Sequence, residues 1–375
     1  MFSSRAVVVL FLAFFLAFTS ARPVRRSACR APASATATPS GLALPIVKAT
    51  STTASDPTTT ASATATSKAT TTAKASSSTK VSASSSAAPA QDTPAPVSVT
   101  GLLGKLFPVA DTIKSWTTSP SSNALSLSDA TFRPFSVLKA LSHTYTKAPD
   151  GKAAMKAHYP KGSYTFGHDP QGGFSFYAPG PSSVDLTTAK EATFGYSVFF
   201  PEGFNFQLGG KLPGLYGGNS DAESLSCSGG RRSSACFSAR LMWRSKGAGE
   251  FYTYLDPSAS ANKKVCNVAP FSECNPTYGA SVGRGAFTFA TGAWTTISER
   301  VRLNDAGQAN GEIELFANGK SVISVKGLVL RDSSAGRIRG MQMQTFFGGS
   351  STQFASPKDQ DVYFSDFSVS ITEKL

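Results

Sequence analysis

Between about residue 102 and residue 375, apolar and polar positions alternate in short runs. The clearest are "ATFGYSVFFP", "CFSARLMWR", "EFYTYL", "AFTFATGAWTTISERVRL", "GEIELFANGKSVISVKGLVL", "RIRGMQMQTFFGG" and "DVYFSDFSVSI", with Gly, Pro, Asn and Asp between them. A period of two sends successive side chains to opposite faces, so these runs predict half-buried β-strands. Asn318-Gly319, within "ELFANGKSVISV", predicts a two-residue type I′ hairpin turn, which needs positive φ at both central positions. Helical periodicity is thin. One short helix is expected within "LSLSDATFRPFSVLKAL", with Ser128 at its N-cap. No internal repeat is visible. Many short strands and two inner faces predict one all-β domain, a β-sandwich of jelly-roll type with a concave face that suits a glycan chain.

The pattern is absent upstream. "MFSSRAVVVLFLAFFLAFTSARPVRR" holds a cation at Arg5, an apolar run from Val7 to Phe18 and the small residues Thr19-Ser20-Ala21. Those are the parts of a secretory signal peptide, and the apolar run is too short to span a bilayer. Cleavage is expected near Ala21, leaving a secreted, extracellular protein with no membrane partner. Arg25-Arg26 reads equally as a second processing site or as a chance basic pair. From 22 to 100 the chain is mostly Ser, Thr, Ala and Pro. Such a segment buries too little surface to offset its ordering entropy, and in a secreted protein it reads as an O-glycosylated stalk. The folded domain is expected over 101–375.

Charge and cysteines narrow the partners. The formal net charge is +13, but residues 1–100 hold nine Lys/Arg against two Asp/Glu, and the remainder 27 against 21. The domain is therefore only mildly basic and has no Lys/Arg block, which argues against nucleic acid and suits an acidic polysaccharide. Of five cysteines, Cys29 lies in the tail. Cys227 neighbours Cys236, and Cys266 neighbours Cys274, which in an oxidising compartment reads as two local disulfides, although four cysteines allow three connectivities. Zinc is less favoured, because the spacings are long and His143, His158 and His168 lie far upstream. No metal or cofactor is expected, and the protein is expected to be a monomer.

Two stretches carry candidate chemistry. "LGGKLPGLYGG", Leu208 to Gly218, isolates one cation, Lys211, among five glycines. It reads as a constrained loop whose glycines let a ligand approach the backbone. "FSARLMWRSKGAGEFYTYL" reads as a hairpin with its loop over 245–249. Pairing Arg244 with Glu250 sets Met242 opposite Tyr252 and Arg240 opposite Tyr254. Ser238, Arg240, Met242, Arg244, Glu250, Tyr252 and Tyr254 then share one face, and Leu241, Trp243, Phe251 and Leu255 the apolar one. Arg244 and Glu250 read as an exposed cross-strand ion pair worth ~0.2–1 kcal/mol. The polar face reads either as an ordinary solvated strand surface or as a site.

Gly-Gly-Lys-Leu-Pro-Gly, then Ser-x-Arg-x-Met-Trp-Arg, then Tyr-x-Tyr, together resemble polysaccharide lyase family 14, jelly-roll enzymes that cleave alginate and glucuronan by β-elimination. The resemblance is densest over 194–255, with a weaker echo in "MQTFFGG" at 343–349. It implies Lys211, Ser238, Arg240, Tyr252 and Tyr254 as the catalytic set, with Gly209, Gly210, Gln342 and Gln344 as substrate-binding positions. The chemistry explains the residue types. A 1,4-linked uronan carries a carboxylate beside the C5–H bond that must lose its proton. Arg240 can grip that carboxylate, and Lys211 adds a second positive charge. The two cations should lower a nearby phenol pKa, so a tyrosine can serve as base, acid or both, with Lys211 a rival base. Ser238 orients substrate on this reading. Two alternatives stand: a non-catalytic carbohydrate-binding jelly roll, and a glycoside hydrolase, which needs a pair of carboxylates.

Overall fold

The apolar halves of the alternating runs bury against one another. The computed structural model describes residues 101–141 and 143–375. The signal peptide, Arg25-Arg26, Cys29 and the stretch 22–100 lie outside the described residues. Those described form fifteen strands: β1 (Lys114–Thr117), β2 (Thr144–Lys147), β3 (Ala153–Tyr159), β4 (Phe174–Ala178), β5 (Ala189–Phe200), β6 (Gly209–Gly218), β7 (Cys236–Arg244), β8 (Ala248–Tyr254), β9 (Glu273–Cys274), β10 (Ala280–Thr288), β11 (Ala293–Arg302), β12 (Gly311–Ala317), β13 (Lys320–Leu328), β14 (Arg337–Phe347) and β15 (Gln360–Lys374). They make two antiparallel sheets. The first runs β13-β12-β11-β5-β15-β3-β2, with β1 also paired to β15, and the second β4-β14-β6-β7-β8-β10-β9.

The sheets stack as the expected jelly-roll sandwich. Phe194, Tyr196, Val198, Ile297, Val301 and Phe364 of the first sheet meet Leu212, Leu215, Leu241, Trp243, Phe251 and Met341 of the second in one core. Asn318 (φ 51°) and Gly319 (φ 83°) form the two-residue turn between β12 and β13, as the sequence predicts. The expected helix is a single turn, Asp129–Phe132, with Ser128 at its N-cap, although the Ser128 hydroxyl bonds Ser126 instead of a helix N–H.

The structure departs from expectation in β6. The glycine-rich stretch around Lys211 is a central strand with all ten residues buried, not a loop. Gly and Pro are depleted in strands, so local preference points the wrong way. Close packing reverses it. A side chain on Gly210 would run into the Trp243 indole and the Phe346 carbonyl, and one on Gly214 into the Ala239 carbonyl and the Arg240 backbone. The glycines therefore make room for the protein itself, not for a sugar. Strands β1 to β4, β9 and the first half of β10 also lie outside the runs read as strands from the sequence. In β10, Gly283 and Gly285 take positive φ at an irregularity between Val282 and Phe287.

Gly210→Ala tests the β6 explanation. It should destabilise the fold by about 1–3 kcal/mol through overpacking against Trp243, read as a lower denaturant midpoint with an unchanged slope. An unchanged midpoint would remove this explanation.

Candidate active site

Strands β14, β6, β7 and β8 lie side by side, and alternation turns one set of their residues away from the core. Lys211 comes from β6, Arg240, Met242 and Arg244 from β7, and Glu250, Tyr252 and Tyr254 from β8. Gln342, Gln344 and Phe346 come from β14. The shared face is the predicted one, but its register is shifted by two. Ser238 pairs with Tyr254, Arg240 with Tyr252 and Met242 with Glu250. The turn is shorter than expected: only Ser245–Gly247 lie outside the strands, so Ala248 and Gly249 join β8. A shift of two preserves side-chain parity, which is why the face survives the error.

Away from the core does not mean towards solvent. Arg240 and Tyr254 are 2% exposed, Lys211 and Tyr252 8%, and Glu250 0%. The Cys227–Cys236 disulfide packs with Met242, Tyr252 and Tyr254 in a second apolar cluster on this face. Ser238 is buried, and its hydroxyl donates to the Cys227 carbonyl at 2.8 Å, tying the disulfide loop to β7. The other expected bridge, Cys266–Cys274, is also formed. Glu250 is not an exposed ion-pair partner. Its carboxylate takes Arg244 at 2.6 Å and Arg284 at 2.9 Å, and also accepts from Ser281.

Burial sets the electrostatics. Lys211 lies with Nζ 3.0 Å from the centroid of the Tyr252 ring and 2.7 Å from Met242 Sδ. Desolvation, reinforced by the charges of Arg240 and Arg244, holds its amine well below the usual lysine range, against the pull of Glu250. The Tyr252 phenol moves opposite to expectation. Burial raises it, with Tyr254 adding to the rise, and Arg244 and Arg240 only partly oppose this. Arg240 donates from Nη1 to Gln344 Oε1 at 2.8 Å, while its buried Nε has no partner among the described residues. Gln344 also receives Gln342 Nε2 at 2.9 Å and donates to Ser175 at 3.0 Å, so one amide row orients the guanidinium.

A cleft of about 890 Å³ opens over this face. Lys211, Arg240, Tyr252, Tyr254 and Gln344 line it together. Ser238, Gly209, Gly210 and Gln342 do not reach its lining: they support the residues that do. The cleft also takes in Phe166, His168, Tyr278, Arg284 and Phe346, which sequence reasoning missed. Phe346 lies inside "MQTFFGG" and pairs with Lys211 across β6 and β14, so that motif was a usable signal. Arg284 sits between the two positive-φ glycines of β10, where alternation breaks. His168 lies in the Ser163–Gly173 region between β3 and β4, where its ring stacks on Tyr164.

The fold and the cleft define a β-sandwich protein with a cationic, tyrosine-bearing groove. A family model described as Polysaccharide lyase 14 matches residues 147–367, and the chain belongs to that family. Its relatives and the family are polysaccharide lyases. The chain is similar to a PL-14 alginate lyase from Aplysia kurodai, 34% identical with a TM-score of 0.57, over 69% of this chain and 99% of that one. It is also similar to an alginate lyase from a Chlorella virus, 27% identical with a TM-score of 0.55, again over 69% and 99%. Among curated proteins it resembles the protein named Exolysin of Paramecium bursaria Chlorella virus 1, 26% identical over 173 residues. That match covers 42% of this chain and only 26% of the relative's length.

The packing of the Cys227–Cys236 bridge on the tyrosines makes a contrast between the two disulfides. Replacing both of its cysteines by Ser should cost about 2–3 kcal/mol by the loop-entropy account and also lower turnover. The same change at Cys266 and Cys274, outside that cluster, should cost stability with less effect on turnover. Equal turnover losses in both pairs, measured on folded protein, would contradict this.

Proposed function

We propose that the protein is a secreted lyase that cleaves a 1,4-linked uronan by β-elimination, with Lys211 as base, Tyr252 as acid and Arg240 on the substrate carboxylate. The observation that carries this is the convergence of Lys211, Arg240, Tyr252 and Tyr254 in one buried cleft. The N-terminal signal pattern and the two disulfides support secretion. The alginate lyases named above support an alginate-type polymer over glucuronan.

In this mechanism the substrate carboxylate binds Arg240, whose charge offsets the dianion that develops when C5 loses its proton. The neutral Lys211 amine takes that proton. The C5–H electron pair becomes the C4–C5 double bond, the C4–O4 bond breaks, and O4 leaves with the Tyr252 proton. A proton passing from the Lys211 ammonium to the Tyr252 phenolate then restores both groups. The raised phenol keeps its proton until O4 needs it, and the lowered amine is free to accept one, so the two shifts support opposite roles. Gln344 and Tyr254 hold Arg240, whose guanidinium carbon lies 5.7 Å from the Tyr254 ring centroid.

Because the Lys211 amine lies against the Tyr252 ring, base and acid attack from one side. That favours syn elimination, in which H5 and O4 leave from the same face. Mannuronate and glucuronate have that relation at C4 and C5, and guluronate does not. The hydrolase alternative needs two facing carboxylates. Among the described residues, Glu273 is the one carboxylate in the cleft lining, and Glu250 is committed to Arg244 and Arg284.

Absorbance of the unsaturated uronate end tests the reaction, and polymannuronate should give it faster than polyguluronate. Lys211→Arg puts a permanent cation there, which cannot accept the proton at neutral pH. It and Tyr252→Phe should each lower kcat by about 100-fold or more. Arg240→Ala should worsen KM as well as kcat. The sign of the pH dependence follows from the two shifts. Activity should fall as pH drops through the depressed Lys211 pKa. It should persist on the alkaline side beyond an ordinary phenol, because Tyr252 stays protonated. A parent that binds uronans without producing unsaturated ends would make the protein a binding module.

A further inference from the structure

Behind the cleft, the inner face of the first sheet carries a polar interruption. Along β11 the core row reads Ile297, Glu299, Val301, and all three side chains are buried. Glu299 Oε1 accepts the Leu215 N–H across the core at 2.6 Å. Next to it on β5, the Tyr196 hydroxyl donates to the Pro213 carbonyl at 3.0 Å. Both backbone partners, the Leu215 N–H and the Pro213 carbonyl, belong to one irregularity in β6. Leu212 pairs with Leu241 and Leu215 with Ala239, so Pro213 and Gly214 together face the single residue Arg240. That two-against-one count is a β-bulge, which leaves backbone groups without ladder partners.

Each residue of the bulge fits this role. Pro213 has no N–H to strand, and bulges are among the few places a sheet interior accepts proline. Gly214 admits the backbone of Ala239 and Arg240, which a side chain would displace. The bulge also sets the cleft. It inverts parity between Lys211 and Tyr216, so that both face outwards while Leu212 and Leu215 both face the core. Across from Arg240, β6 then presents nothing larger than proline, leaving the guanidinium room beside Lys211.

We propose that Glu299 and Tyr196 are positioning residues that reach across the core to hold the Pro213–Gly214 bulge, and through it fix Lys211 relative to Arg240 on the opposite face. The proposal rests on the reading that Lys211 and Arg240 act together on a uronan. Burial raises the Glu299 carboxyl well above the usual range, more than the Leu215 N–H lowers it, and its accepting atom is Oε1, a role that a glutamine carbonyl can copy.

Three full-length variants test it: Glu299→Gln, Glu299→Leu and Tyr196→Phe. Two readouts are taken on folded protein: kcat and KM on a polymannuronate, and the titration of Lys211 followed by NMR with isotope-labelled lysine. Glu299→Leu should lower kcat by about tenfold or more, the scale of a small misplacement of a reacting group, and shift the Lys211 titration. Tyr196→Phe should do the same more weakly. Glu299→Gln should stay near the parent in both. A purely structural Glu299 would lower the melting temperature of Glu299→Leu and leave kcat and the Lys211 titration unmoved, which overturns the proposal. If Glu299→Leu does not fold, Tyr196→Phe decides, since it removes one hydroxyl, and an unmoved Lys211 titration overturns the proposal. A parent that makes no unsaturated ends overturns the lyase reading instead, and the Lys211 titration still decides this one.

Discussion

Glu250 holds Arg244 and Arg284 with a carboxylate that has no exposure to solvent, and the cationic face of the second sheet depends on that arrangement. Lys211, Arg240, Arg244 and Arg284 crowd into one cleft. Bringing like charges out of water is costly unless each is compensated. Glu250 settles two of them. Arg240 is held by the Gln344 amide and the face of Tyr254. Among the described residues Lys211 makes no ion pair with a carboxylate, and desolvation beside the charges of Arg240 and Arg244 favours its neutral form. The charge imbalance that burial creates is thus what turns a surface-type residue into a candidate base.

The two sheets divide the work. The second sheet carries the candidate site on its outer face. The first sheet supplies the other half of the core and, through Glu299 and Tyr196, reaches the bulge that spaces the site. The Cys227–Cys236 bridge closes the outer face over the tyrosines. A sandwich with one solvated outer face would leave the same residues as weak, screened surface charges worth little in catalysis. Enclosure is what raises the phenol, lowers the amine and gives the cations leverage on a developing negative charge.

Much of this was legible in the chain. Alternation predicted the sandwich and the shared face of Ser238, Arg240, Tyr252 and Tyr254. Asn318-Gly319 predicted its turn, and cysteine spacing predicted both bridges. These features rest on local rules: a strand's period is two whatever surrounds it, and a type I′ turn needs its own residues. The register of β7 on β8 was misjudged because a glycine-rich loop does not announce its length. The site survived because the error was even. Had the turn differed by one residue, the tyrosines would have been assigned to the core.

By itself the sequence determined the fold class and which residue types share the cleft face, and favoured the two local disulfides that the structure forms, since each follows from short-range spacing. Only the tertiary structure decided that "LGGKLPGLYGG" is a central strand, because its glycines answer to Trp243 and Arg240 on another strand and not to their own neighbours. Only the tertiary structure, too, decided the direction of the Tyr252 and Lys211 shifts. Nearby charges can be guessed from sequence, but desolvation depends on the loops that cover a residue, and here burial outweighs the charges for Tyr252 and reinforces them for Lys211.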